Sequence, residues 1–302
     1  MSLSSPGLTR VSQQQIGATG ETCLAEGLCV PADVLTHALA AVATVLFAAA
    51  VLLALSRLHD AADALDAEQD RTQRERDAFA AFVDALAGID SENPRLTDGG
   101  PMTVTGSRTG RLPDVVDAYR RTVMDVPHYD DEYDDSLAEH MAAEFGDDVA
   151  LAVQNGAILS PQLKRTLHAS ALQAKQRRER LLAALDAEQE SLSSCTRTLA
   201  EVDETLSGVN PDPDPDRPRA DLIADWHAIQ ATRDTTVSLL ESRQADIHEQ
   251  RHVVGQAGGP TTLYEYVYGD LPSSYPVLSL GTTAVEETRS LRRRVSRGLV
   301  EH

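Results

Sequence analysis

Lysine is nearly absent from this chain: of its 27 cationic side chains only Lys164 and Lys175 are lysines, and the rest are arginines. Cations as a class are also scarce, because those 27 stand against 47 Asp and Glu and leave a formal net charge of −20. That balance excludes the bulk of the surface from nucleic-acid binding, since a phosphate backbone demands clustered positive charge. It suits strong salt, where carboxylates stay hydrated and a Debye length of about 3 Å at 1 M screens the chain's self-repulsion.

Cysteine is equally sparse, at Cys23, Cys29 and Cys195. A metal site resting on two cysteines six apart, with no histidine near them, is disfavoured. Cys23 and Cys29 flank a short loop containing Gly27 and either close as a disulfide in an oxidising setting or stay separate thiols. Cys195 falls on the apolar seam of a predicted helix and reads as a small buried residue. The first 33 residues also lack a basic n-region and are too few to bury a ligand-binding core, which argues against both a cleaved signal peptide and a sensor domain there.

The next stretch is strongly apolar. Residues 34–55 read VLTHALAAVATVLFAAAVLLAL, without one charge. A helix of that length reaches ~33 Å, enough for the roughly 30 Å core of a bilayer, so the pattern predicts a transmembrane helix over 34–56. Arg10 is the only cation before it, whereas Arg57, Arg71, Arg74 and Arg76 lie after it. The positive-inside rule then expects a single-pass protein of the cell membrane, N-terminus outside and C-terminus cytoplasmic.

Beyond the run the periodicity is helical throughout. The expected fold is all-α: the N-terminal span continues into a long helix and is followed by an antiparallel helical hairpin or coiled-coil bundle. The predicted layout is a polar external tail at 1–33, the span at 34–56 and a juxtamembrane helix at 57–90. Loop and short helices occupy 91–159, the long hairpin 160–254, and a Tyr-rich segment with an Arg-rich terminal helix 255–302. Ser136 with Glu139 makes a capping box, Gly146 and Gly156 fit helix ends, and Ser160-Pro161 opens the longest helix, which Gly208 closes. Within it Leu185, Leu192, Leu199 and Leu206 recur every seven residues, with Leu181, Glu188, Cys195 and Val202 on the alternate seam. VNPDPDPDRPR then breaks the helix, and Leu222, Trp226, Ile229, Arg233, Thr236, Leu240, Arg243 and Ile247 carry the returning stripe. Folding back antiparallel sets Arg233 and Arg243 against seam carboxylates such as Glu188, a register-fixing role.

Three segments raise chemical questions. HYDDEYDD at 128–135 crowds His128 among carboxylates but lacks the alternating ligands and turn glycine of a calcium loop, so it reads as a solvated loop. His248-Glu249-Gln250-Arg251-His252 is a literal H-E-x-x-H, in which His248 and His252 could hold zinc and Glu249 activate water, with Glu265, Glu286 or Glu287 as third ligand. Arg251 between the ligands and the setting in a polar hairpin oppose that reading, and a helix end at Gly255 complemented by Arg251 and His252 accounts for the string. The expectation is therefore no catalysis, no cofactor and no metal, with a zinc metallopeptidase as the alternative. The third segment is the terminal helix, which gathers Arg289, Arg292, Arg293, Arg294 and Arg297 in front of Leu291, Val295 and Leu299. It is the expected interaction patch, for the anionic surface of a lipid bilayer or an acidic partner face.

Just before it, LYEYVYGDLPSSYPVLS places Tyr264, Val267 and Tyr268 on one helical face, suited to docking on the bundle. This segment, in its order after a single span and a charged helical hairpin, resembles haloarchaeal membrane proteins grouped only as a domain of unknown function. The low lysine content beside abundant Asp and Ala points to the same source. The resemblance implies a membrane location and no catalytic residue. The reading from sequence is a membrane-anchored cytoplasmic coiled-coil protein acting as scaffold, adaptor or signal relay, through a protein partner or self-association of its helices, with no nucleic acid.

Overall fold

The computed structural model of the protein describes residues 21–24, 28–92, 112–156, 158–210, 217–250 and 262–301, with side chains from Ser56 onward except those of Gln250 and Glu301. Two compact units divide at Ser56. The first contains a two-stranded antiparallel hairpin, β1 (Glu21–Leu24) and β2 (Leu28–Pro31), whose register sets Cys23 opposite Cys29. It also contains the start of helix α1 (Ala32–Ala87).

Apart from this short tail hairpin the fold is helical, as expected. One part of the expected fold class is corrected: no transmembrane helix is found at 34–56, since among the described residues no helix is long and apolar enough to cross a membrane. The apolar run belongs to a 56-residue helix, and the portion whose side chains are described, from Ser56 on, carries charged residues along most of its length.

The second unit is helical. It comprises the rest of α1, short helices α2 (Leu112–Thr122), α3 (Tyr129–Glu132), α4 (Leu137–Phe145) and α5 (Asp147–Asn155), long helices α6 (Pro161–Ser207) and α7 (Arg219–Gln250), then α8 (Leu263–Tyr268) and α9 (Pro276–Glu301). Local chemistry sets many of these limits. The Ser136 side chain and Glu139 close a capping box at α4, and Ser160 Oγ accepts from the Leu163 N–H with Pro161 in the first turn of α6. Gly146 joins α4 to α5 at φ 92°, ψ 153°, a conformation that only glycine adopts without strain. Pro276 starts α9 upstream of the expected terminal helix and draws the PVLSL segment into it.

Partner residues give the directions of the four long helices. Glu75 of α1 meets Arg178 of α6, while Gln189 farther along α6 bonds back to Asp66, so the two run antiparallel. Arg243 of α7 meets Glu188, and Leu222 and Ile229 pack with Val202 and Leu206, which reverses α7 against α6. Gly281 of α9 lies so close to Leu240 that a Cβ there would approach its Cδ2 to 2.6 Å, and Arg292 bonds Gln230, which reverses α9 against α7. The result is an up-down-up-down bundle.

Three apolar clusters fill it. Phe79, Phe82, Tyr119, Met141 and Leu167 lie where the short helices cover α1 and α6. Leu65, Leu185, Leu192, Tyr264 and Tyr268 lie where α8 docks, and Val202, Leu206, Leu222, Ile229 and Val295 lie at the hairpin's tip. Each such Leu or Phe, fully buried, stabilises the fold by about 1.5–3 kcal/mol relative to exposure. The seam assigned from the heptads lines these clusters, with Cys195 buried as a free thiol whose pKa burial raises.

Candidate functional site

Arg178 and Glu188 lie ten residues apart on α6, about 15 Å along the helix, and each centres a buried polar network. Around Arg178, the guanidinium Nε donates to Glu75 Oε2 at 3.0 Å and Nη1 to Glu144 Oε2 at 2.8 Å, while Arg177 donates to the same Glu144 carboxylate at 2.6 Å. The Arg178 guanidinium also sits 4.8 Å from the centroid of the Phe79 ring. Burial would raise the Glu144 carboxyl pKa, but the hydrogen bonds and charge of Arg178, reinforced by Arg177, outweigh it and hold the group below the ordinary carboxylate value.

HYDDEYDD descends onto this network instead of remaining a solvated loop. His128 Nε2 lies 3.2 Å from Glu75 Oε1, to which the Tyr133 hydroxyl donates at 2.8 Å, and the Tyr129 ring is buried. Next to them the Tyr119 hydroxyl and His140 Nδ1 are 2.7 Å apart, and burial keeps the His140 imidazole below its usual pKa. Histidine and tyrosine point inward while the intervening aspartates remain at the surface. The signal that sequence reading missed was the pair of tyrosines four apart at 129 and 133, an inward face hidden by the charge count.

Glu75, His128 and Glu132 bring ligand atoms within 4.8 Å of one another, close enough to raise the question of a metal ion. The donor set fits a hydrogen-bond network better. Glu75 already accepts from Arg178, Tyr133 and His128, and Arg71 pairs with Glu132 at 3.0 Å, so a cation would have to displace two guanidinium groups. The buried, unpartnered His128 Nδ1 lies on the side of the ring away from Glu75 and adds no ligand there.

The second network sits inside the hairpin. Arg243 Nη1 donates to Glu188 Oε2 at 2.9 Å and to Ser191 Oγ at 2.8 Å, and its Nη2 donates to Glu188 Oε1. Tyr268 donates to that same oxygen at 2.7 Å, and the Tyr264 ring centroid is 5.2 Å from the guanidinium. Burial and the adjacent Glu188 charge push the Tyr268 hydroxyl far above its ordinary pKa, so it stays a donor. The arrangement pairs the Glu188 carboxylate with the Arg243 guanidinium and the Tyr268 hydroxyl. Of the two seam arginines, Arg243 takes the predicted carboxylate, whereas Arg233 turns outward and pairs with Asp234 at 3.1 Å.

The H-E-x-x-H string finds a different setting. His248 and Glu249 are exposed on the last turn of α7, and His252 lies outside the described residues. Of the suggested third ligands, Glu265 closes the capping box of α8 with Thr262, and Glu286 is exposed on α9. Glu287 is half-buried, and burial together with the Asp203 carboxylate pushes its pKa up to about 7. A carboxyl raised from 4.5 in the fold contributes stability that is full below about 4.5 and lost as pH rises through about 7. Glu287→Gln is therefore expected to be more stable than wild type at pH 8 and to lose that advantage at pH 4.5. Urea midpoints at the two pH values measure this, and an advantage independent of pH would contradict it.

The arginines of α9 separate into two sets. Arg292 donates to Gln230 of α7 at 3.2 Å and Arg294 is also engaged. Arg289, Arg293 and Arg297 are exposed at intervals of four, on one stripe, with no hydrogen bond or ion pair among the described residues. Leu291 and Val295, placed by the sequence behind the arginines as the apolar face, are buried against α6 and α7, and Leu299 packs beside them. That apolar face is occupied within the bundle, leaving the arginine stripe as the outward surface.

A family model for a domain of unknown function, DUF7260, matches residues 56–292, a span that includes both networks and most of α9. No curated protein and no solved structure matches the chain.

Proposed function

Because the chain belongs to the DUF7260 family, whose domain has no assigned function, we propose from its own residues that it acts without catalysis, as a helical scaffold, adaptor or signal relay. The supporting observation is the unpaired stripe Arg289, Arg293 and Arg297. Elsewhere buried and half-buried arginines are consumed by carboxylates, as Arg178 is by Glu75 and Glu144, Arg217 by Asp225 and Arg243 by Glu188. Other exposed arginines also lack partners among the described residues, but Arg289, Arg293 and Arg297 share one helical stripe, and three such guanidinium groups together in a chain of charge −20 favour an external acidic face. The composition supports a haloarchaeal, high-salt setting for that contact. There long-range attraction is screened, and direct bidentate pairing carries the recognition.

Crosslinking and affinity purification from the native source test the proposal. A recurring partner is expected with the wild-type chain, and recovery should fall about tenfold or more when Arg289, Arg293 and Arg297 become Gln, because several charge-assisted bonds are lost at once. Equal recovery with the triple variant, its helix content unchanged, would remove the α9 stripe from the proposed interface.

A further inference from the structure

On the outer side of the hairpin, a groove of about 910 Å³ runs between α6 and α7. Ala183, Ala187 and Ser194 form its α6 wall, and their small side chains leave the backbone approachable along about 16 Å of helix. Its rim is mainly acidic: Glu190 stands on α6 beside one exposed cation, Arg180, with Asp246 and Glu249 on α7. Glu190 and Glu249 are exposed and make no ion pair among the described residues, whereas Asp246 accepts from Ser191 at 3.3 Å.

The α9 stripe carries the complementary features. Arg289, Arg293 and Arg297 form an i, i+4, i+8 ridge about 12 Å long, and Val300, 86% exposed, extends it by a turn. A ridge of that spacing fits a groove floored by alanine and serine. Arginine stems can cover the small residues while the guanidinium groups reach acids on both walls.

We propose that the occupant of the groove is α9 of a second copy of this chain, its Arg289, Arg293 and Arg297 pairing with Glu190, Asp246 and Glu249. This deepens the scaffold reading by naming a partner for the same stripe. The two surfaces lie on different helices, so the contact is heterologous: each copy offers one ridge and one groove. In low salt the repulsion between two chains of charge −20 opposes the contact, and in strong salt that repulsion is screened while the paired contacts persist.

Sedimentation of the full-length protein tests the pairing. In about 2 M salt, weight-average mass is expected to rise between about 5 and about 200 µM, with a dissociation constant in the micromolar range. Changing the three arginines to Gln, or Glu190 and Glu249 to Gln, should weaken association about tenfold or more. Arg289→Glu with Arg293→Glu, and Glu190→Arg with Glu249→Arg, should each abolish self-association yet restore a mixed complex when the two proteins are combined. Helix content measured alongside keeps misfolding from imitating the loss. A wild-type protein of single-chain mass throughout, or association that the substitutions leave unchanged, would overturn the proposal. If that monomer still loses an acidic partner through the triple Arg→Gln change, the self-docking fails while the scaffold reading survives.

Discussion

Arg243→Met is expected to lower unfolding stability by about 3–5 kcal/mol, because it strands Glu188 as an uncompensated charge inside the hairpin. Glu188 is 0% exposed and Arg243 2%, so water cannot replace either partner. Changing both, as Glu188→Leu with Arg243→Met, removes the buried charges together and should cost less than Arg243→Met alone. Some penalty remains, since the Tyr268 hydroxyl and Ser191 Oγ each lose a bond worth about 1 kcal/mol. Urea unfolding of wild type, both single variants and the double variant closes the cycle. Additive losses, or a single-variant cost below about 1 kcal/mol, would show that the pair does not hold the seam.

That pairing could be anticipated because an antiparallel hairpin makes long-range contact predictable from short-range pattern. Leu185, Leu192 and Leu199 identify the buried stripe of α6, the proline-rich connector reverses the chain, and residues at similar distances from it meet. Glu188 is the charged member of the α6 stripe, and of the two arginines that the α7 stripe offered, Arg233 and Arg243, the packing selects Arg243. Caps were legible for a similar reason: Ser136 with Glu139, and Ser160 with Pro161, act within four residues of themselves.

Contacts between α1 and α6 were not legible, because no short connector relates them. Glu75 and Arg178 are 103 residues apart, and many carboxylates on α1 offered an equivalent pairing pattern in sequence. The 128–135 segment deceived by composition: its aspartates describe the solvent side, while His128, Tyr129 and Tyr133 determine where it docks. The α9 stripe was half legible. Five arginines stood out against the acidic background, but only the packing of Leu291 and Val295 separates Arg289, Arg293 and Arg297 from Arg292, which turns back onto α7.

Arg178→Met should have an effect of similar size to Arg243→Met but a distinct pH dependence. Its side chain, 13% exposed, joins α1 to α4 through Glu75 and Glu144, so its loss leaves two part-buried carboxylates sharing only Arg177, His128 and Tyr133. A cost of about 3–4 kcal/mol is expected at pH 7. In the wild type, Glu144 has its pKa depressed in the fold, so its contribution is full above the unfolded value of 4.5 and disappears as pH falls through the lower folded value. In the variant the opposing effect of burial is no longer balanced by Arg178, and Glu144 takes up a proton more readily. Acid therefore removes a stabilising charge from the wild type and relieves a stranded one in the variant, and the stability gap should narrow as pH drops below about 4.5. Arg177→Gln, at a side chain 22% exposed with only Glu144 to lose, should give a smaller gap of the same sign. Denaturant midpoints between pH 7 and pH 3.5 measure both variants. A gap that stays constant or widens on acidification would show that Arg178 contributes through its packing against Phe79 and not through the two carboxylates.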